Sequence, residues 1–245
     1  MIARIAAPTI DASAMRREQE RMLASPTGLA RPVVILAGWR APRLAVDLLA
    51  ARLRRFTGAV GAADMITVAF PFCSTIDRAV ERAVEAVSSA LPGDHGGPSE
   101  VDAIGVSMGG LVARAAAAPA TARRLRRRLR VRRLFTLASP HRGARLADMF
   151  APDAAARAMR PGSEFLRWLD GALPCADYTL VCYAREGDRW VGTENAAPPA
   201  TPLIRVPRSL LSHMTITRDP LITLDLARRL RGEPPLLQPG VLSSG

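Results

Sequence analysis

The sequence has no lysine. All 34 basic side chains are arginine, set against 22 acidic ones, for a formal net charge of +12. With abundant alanine and proline, that bias fits a GC-rich coding background. Net charge in any case bears on solubility and partners rather than on fold. Cysteine is scarce: Cys73, Cys175 and Cys182 are too few for a disulfide framework and lack zinc-ligand spacing. A reducing, cytoplasmic setting is expected. Aromatic residues make up only 4% of the chain. No apolar run approaches the roughly 18 residues of a membrane-spanning helix. The first twenty residues hold no apolar stretch of the kind a standard secretory signal needs, so none is expected. What is present is globular: 49% apolar and 23% charged residues in 245 positions, which excludes wholesale disorder and fits one large domain or two small ones.

The arginines crowd at one place. Arg123, Arg124, Arg126, Arg127, Arg128, Arg130, Arg132 and Arg133 fall within eleven positions. Such a run can hold anionic lipid or nucleic acid. It can also be a solvated helix end running into a strand, with Leu125 and Leu129 turned to the core, as basic runs usually are. No aromatic is interleaved to stack on bases, so no nucleic-acid partner is expected.

Apolar runs and helical periodicities alternate along the chain. Strands are expected at Val33–Ala37, Met65–Phe70, Val101–Val106, Leu134–Ala138 and Tyr178–Tyr183, with a short one at Leu203–Val206. Helices are expected at 11–24, 42–56, 75–91, 108–118, stopped by Pro119, and 220–231. Residues 139–177 read as loops and short helices. This alternation predicts an α/β fold with a mostly parallel sheet and helices on both faces. The expected organisation is an N-terminal helical extension (1–30), a main domain (31–232) with a cap inserted at about 139–177, and a flexible tail (233–245). Ligand sites in such sheets lie at the carboxyl ends of the strands.

One motif sits at such an end. Gly105-Val106-Ser107-Met108-Gly109 matches G-x-S-x-G between an expected strand and an expected helix. A sharp strand-to-helix turn holds its central residue in a strained conformation. Small residues two before and two after let neighbouring backbone pass close by. Ser107 would then stand exposed above the sheet as a nucleophile, at a helix N-terminus rich in N–H donors. The bland alternative is a Gly/Ser-rich turn.

A serine needs a base, and the base needs an acid to orient it, in chain order Ser…Asp/Glu…His for this elbow. His95 precedes the serine in a polar loop. His141 follows it, but no carboxylate lies on a strand end between the two. His213, past the last short strand, is in order. Asp188 and Glu186 both follow the Tyr178–Tyr183 strand, and Asp188 also follows Gly187, which permits a tight turn. Asp177 and Glu194 remain as further candidates for the acid.

VVILAGW (33–39), GVSMGG (105–110), LFTLASPHRGARLAD (134–148), PGSEFLRWL (161–169), REGDRWVG (185–192) and SHMTITRDP (212–220) together resemble α/β-hydrolases of the lipase and esterase kind, above all bacterial triacylglycerol-lipase-like and GPI-inositol-deacylase-like sequences, over about residues 31–228. The resemblance implies a catalytic triad of Ser107, Asp188 and His213, and a shaping role for the loop around His141. It implies an oxyanion hole from the backbone N–H groups of Trp39 and Met108. Many lipases have His-Gly where this chain has Ala37-Gly38, and Trp39 also reads as a packing residue. Leu146, Met149, Phe150, Met159, Phe165, Leu166, Trp168 and Leu169 give the expected cap an apolar character that suits either an acyl chain or ordinary packing. The implied activity is ester hydrolysis through an acyl-enzyme, with neither metal nor cofactor called for. Thioester hydrolysis, acyl transfer and non-catalytic binding of lipid or a partner are the alternatives. The arginine cluster adds possible peripheral attachment to an anionic membrane.

Overall fold

The computed structural model describes residues 11–91, 99–209 and 211–239. Six strands form one all-parallel sheet: β1 (Val33–Trp39), β2 (Met65–Phe70), β3 (Glu100–Val106), β4 (Arg130–Leu137), β5 (Thr179–Arg185) and β6 (Leu203–Val206), in the order β2-β1-β3-β4-β5-β6. Parallel strands covered on both faces should be apolar throughout, and β1 is buried from Val33 to Gly38. Its side chains alternate between two cores. Val34 and Leu36 point to one, and Val33, Ile35 and Ala37 to the other.

Helices α1 (Ala12–Ala24), α2 (Arg43–Thr57) and α9 (Pro220–Leu230) cover the second core. Helices α3 (Ile76–Ala90) and α4 (Met108–Ala117) cover the first. Beside them lie α6 (Arg145–Met149), α7 (Ala154–Ala158) and α8 (Glu164–Ala172), in the segment between β4 and β5. Side-chain caps start several of these helices. Thr75 accepts from the Arg78 N–H, Ser163 from Leu166, and Asp219 from Leu221 and Ile222, with Pro220 at the first helical position. Among the described residues, no helix is long and apolar enough to cross a membrane.

The helix expected to stop at Pro119 does so: α4 ends at Ala117, and Ala118 before the proline is extended. Pro119 then opens a second short helix, α5 (Pro119–Leu125), because the N–H that proline lacks would be unpartnered in a first turn anyway. Two expectations need correction. β4 begins at Arg130, four residues earlier than expected, with Val131 buried between exposed Arg130 and Arg132. The stretch 234–239, expected to fray, is docked. The N–H groups of Leu236 and Leu237 donate to Asp225 Oδ1 at 2.6 and 2.9 Å, and Leu237 is buried. A fully buried carboxylate needs such donors, so Asp225 holds the segment down. Residues 240–245 of that expected tail lie outside the described residues, as does His95.

The chain runs from β1 outward to β2 and then returns to β3 on the other side of β1. The loops after β1 and β3 therefore leave the sheet in opposite directions and open a crevice between them, the usual place for a ligand in a parallel sheet. Ser107 is in one of those loops.

Candidate active site

Ser107 has φ 50° and ψ −123°, a conformation that costs a non-glycine residue energy and persists only where its surroundings enforce it. The surroundings are two glycines. A Cβ on Gly105 would stand 2.3 Å from Gly110 Cα, and one on Gly109 would stand 2.2 Å from the carbonyl oxygen of Leu36. Helix α4 thus presses its first turn onto β3 and β1, and the turn between them can only be sharp. All ten residues of α4 are buried, which the small side chains of its alanine-rich sequence allow.

Three side chains meet at the elbow. His213 Nε2 lies 3.1 Å from Ser107 Oγ, and His213 Nδ1 lies 2.9 Å from Asp188 Oδ2. They come from the loops after β3, β6 and β5, as the carboxyl-end rule requires. Asp188 is held from its other oxygen: Oδ1 accepts the N–H groups of Trp190 at 2.9 Å and Val191 at 3.1 Å. Burial pushes its carboxyl upward, but the hydrogen bond and charge of His213, with the Val191 and Trp190 N–H groups, outweigh that. The net effect is a value below the ordinary one for aspartate, so Asp188 is an anion at neutral pH. The His213 loop is pinned in turn, with Ser212 Oγ donating to the carbonyls of Glu186 (2.9 Å) and Ser209 (2.8 Å). The Trp190 indole stacks on the imidazole, with ring centroids 5.3 Å apart and planes at 21°.

The other acids considered are elsewhere. Glu186 faces Arg205 at 3.5 Å, Glu194 pairs with the same arginine at 2.8 Å, and Asp177 pairs with Arg128 at 2.8 Å.

On the opposite wall, a Cβ on Gly38 would stand 3.2 Å from Ser107 Cβ, so the end of β1 lies directly against the serine. Trp39 follows. Its indole Nε1 donates to Asp153 Oδ2 at 3.1 Å, and the Arg40 guanidinium both pairs with the same carboxylate at 2.9 Å and lies over the indole ring. The tryptophan side chain therefore packs, while its backbone borders the crevice. Met108 is the first residue of α4, so its N–H has no partner within the helix.

His141 is a different kind of histidine. It is fully buried, with Nδ1 3.1 Å from Arg114 Nη1 and Nε2 3.0 Å from Thr136 Oγ1. Burial, then the charge of Arg114, hold it well below its ordinary value. Arg114 is itself buried and donates through Nη2 to the Leu169 carbonyl (2.9 Å) and Asp170 (3.2 Å). Sequence reading missed this arginine, because nothing local distinguishes it from the 33 others. Its place amid the alanines of an otherwise apolar helix was the one available sign.

The expected cap divides. Met159, Leu166 and Leu169 are buried in the core beside α4, whereas Met149 and Phe150 are 86% and 62% exposed.

Residues 75–154 match the family model of the PGAP1-like alpha/beta domain. No protein of curated function matches the chain by sequence. Among solved structures, the mature form of a Bacillus licheniformis lipase superposes with a TM-score of 0.61 at 16% identity, over 85% of this chain and 95% of the lipase. A gene product of Listeria innocua gives 0.55 at 14% identity, over 82% of this chain and 93% of its own. At such identities the likeness is one of fold. The all-parallel sheet, the serine elbow at its switch point and these comparisons make the chain an α/β-hydrolase by fold, with a PGAP1-like segment at residues 75–154.

Proposed function

We propose that this protein is a serine hydrolase that cleaves carboxylic esters with an apolar acyl group. The observation that carries this reading is the continuous hydrogen-bonded chain from Ser107 Oγ through both nitrogens of His213 to Asp188, built on a strained elbow. In this mechanism Ser107 Oγ attacks the ester carbonyl while His213 Nε2 takes its proton. Asp188 fixes the tautomer with the proton on Nδ1 and stabilises the imidazolium that forms. The backbone N–H groups of Trp39 and Met108 hold the oxyanion. The tetrahedral adduct collapses as His213 protonates the departing alkoxide. Water then attacks the acyl-enzyme with the same base, releasing the carboxylic acid and restoring Ser107. The neighbouring lipase fold favours an apolar acyl group over a small polar one.

The test is covalent and kinetic together. A fluorophosphonate should label Ser107, and a chain-length series of p-nitrophenyl esters should be turned over by the wild type and not by Ser107→Ala. No labelling would leave a non-catalytic hydrolase fold. Labelling with turnover of thioesters alone would move the reading to a thioesterase.

A further inference from the structure

Single exposed apolar residues are ordinary on a protein surface, whereas a concentration of them on one face is not. Eleven large hydrophobic side chains are exposed among the described residues. Six of them, Phe72, Met149, Phe150, Trp190, Leu211 and Met214, lie in the segments just past the carboxyl ends of β2, β4, β5 and β6. Phe72 is 94% exposed and Met149 is 86% exposed.

These segments are linked into an arc. The Ala155 N–H donates to the Ser74 carbonyl at 2.7 Å, joining the Phe72 loop to the stretch that follows Phe150. The Leu146 N–H donates to the Trp190 carbonyl at 2.9 Å, joining the Met149 turn to Trp190. Trp190 stacks on His213, and Met214 follows it. The arc therefore runs round the end of the sheet that carries Ser107.

Its charges are mostly of one sign. Arg142, Arg145, Arg189 and Arg208 are exposed on the same segments. Asp148 is exposed there too, while Glu186 and Glu194 face Arg205. The β4 part of the dense arginine run is at the other end, while Arg124 in α5 reaches Asp77 in the first turn of α3. Arg130 opens β4 opposite Glu100, the first residue of β3, about 20 Å of strand away from the elbow at a rise of roughly 3.3 Å per residue. Five of its eight arginines are also paired: Arg124 with Asp77, Arg128 with Asp177, Arg130 and Arg132 with Glu100, and Arg133 with Asp102.

We propose that the apolar arc around the elbow, with its exposed arginines, seats this protein on a bilayer surface carrying anionic phospholipid, and that the arginine run at 123–133 takes no part. Apolar side chains entering the acyl boundary supply the attraction, and guanidinium groups at headgroup level select negative charge. The reactive end of the sheet then faces the lipid. This seating deepens the reading of an ester hydrolase with apolar substrates, but it is measured without turnover.

The experiment is vesicle co-sedimentation with phosphatidylcholine alone and with phosphatidylcholine containing phosphatidylglycerol. The wild type should sediment with the anionic vesicles, less so at high salt. The triple variant Phe72→Ser, Met149→Ser, Phe150→Ser should bind them at least about tenfold more weakly while hydrolysing a water-soluble short-chain ester at the wild-type rate. The double variant Arg123→Ser, Arg127→Ser should bind as the wild type does. Three results would overturn the proposal: no wild-type sedimentation, undiminished binding by the triple variant, or a loss confined to the arginine variant. A wild type that self-associates in gel filtration through this arc and ignores vesicles would also overturn it, making a second copy the occupant. Vesicle binding without ester turnover would instead sink the hydrolase reading and leave the seating intact.

Discussion

The loops after β4 and β6 each carry a histidine, and each imidazole is engaged at both nitrogens. The resemblance ends there. His141 faces a guanidinium and a hydroxyl, in full burial. His213 faces a carboxylate and the elbow serine, with 11% of its side chain exposed. Burial, and then the cation beside Nδ1, make a proton on His141 costly. The same side chain is thus set up as a base in one loop and as a neutral strut in the other. What separates them is full burial together with the sign of one neighbour, not the presence of hydrogen bonds.

The largest effect should come from exchanging these roles by deletion. His213→Ala should lower kcat/KM for ester hydrolysis by about 10³-fold or more, matching Ser107→Ala because the two act as a unit, with little change in melting temperature. His141→Ala should keep a measurable rate and unfold more easily, because it removes a partner from buried Arg114 and Thr136. A buried polar group left unpaired costs about 1–3 kcal/mol. If His141→Ala abolished turnover in a folded protein, the comparison would break.

Asp188→Asn sharpens the origin of the basicity. It keeps the shape, favours the wrong tautomer and should cost roughly 10²- to 10⁴-fold in rate. Glu186→Gln touches a side chain that faces Arg205 and should leave the rate close to wild type. A larger loss from Glu186→Gln would transfer the acid to that residue.

Trp190→Ala removes the ring stacked on His213, a contact His141 does not have. A cation over an aromatic face gains about 0.5–2 kcal/mol, so the rate should fall by about 2- to 30-fold, with much of it restored in Trp190→Phe. Equal rates for Trp190→Ala and the wild type would reduce the stack to packing.

The smallest effect is one of pH. His141 is held well below 6.5 in the fold, whereas an unfolded chain protonates it near that value. The unfolded state therefore binds the extra proton first, and stability falls as pH drops below about 6.5, by at most about 1.4 kcal/mol per pH unit for one histidine. His141→Gln should flatten the dependence of melting temperature on pH between about 6.5 and 5. An unchanged slope would mean that His141 takes up a proton within the fold.

The strands and most helices were legible because their signals are local: β1 is a continuous apolar run, and α3 carries Ile76, Val80, Val84 and Val87 on one buried face. The elbow was legible for the same reason, since its glycines sit at fixed offsets from Ser107. Meeting of Ser107, Asp188 and His213 was an expectation from chain order, and the hydrogen-bonding distances come from the fold alone. What stayed hidden depends on partners far away in sequence. β5 continues to Arg185, which pairs with Val206 of β6 while its buried guanidinium meets Asp219. Leu236 and Leu237 dock because Asp225 lies beneath them. An arginine or a tail residue reads as surface until its partner is known.

Arg114 also has a bearing on motion. One guanidinium grips His141 near the start of the segment between β4 and β5 and the Leu169 carbonyl near its end, and it does so from the helix whose first turn carries the elbow. Both roots of that flap are tied to the same rigid body as Ser107. The stretch between those roots is braced as well: the Leu146 N–H donates to the Trp190 carbonyl, the Ala155 N–H to the Ser74 carbonyl, and Asp153 takes both Trp39 and Arg40. The wall beside the nucleophile is thus part of the same framework that strains the elbow.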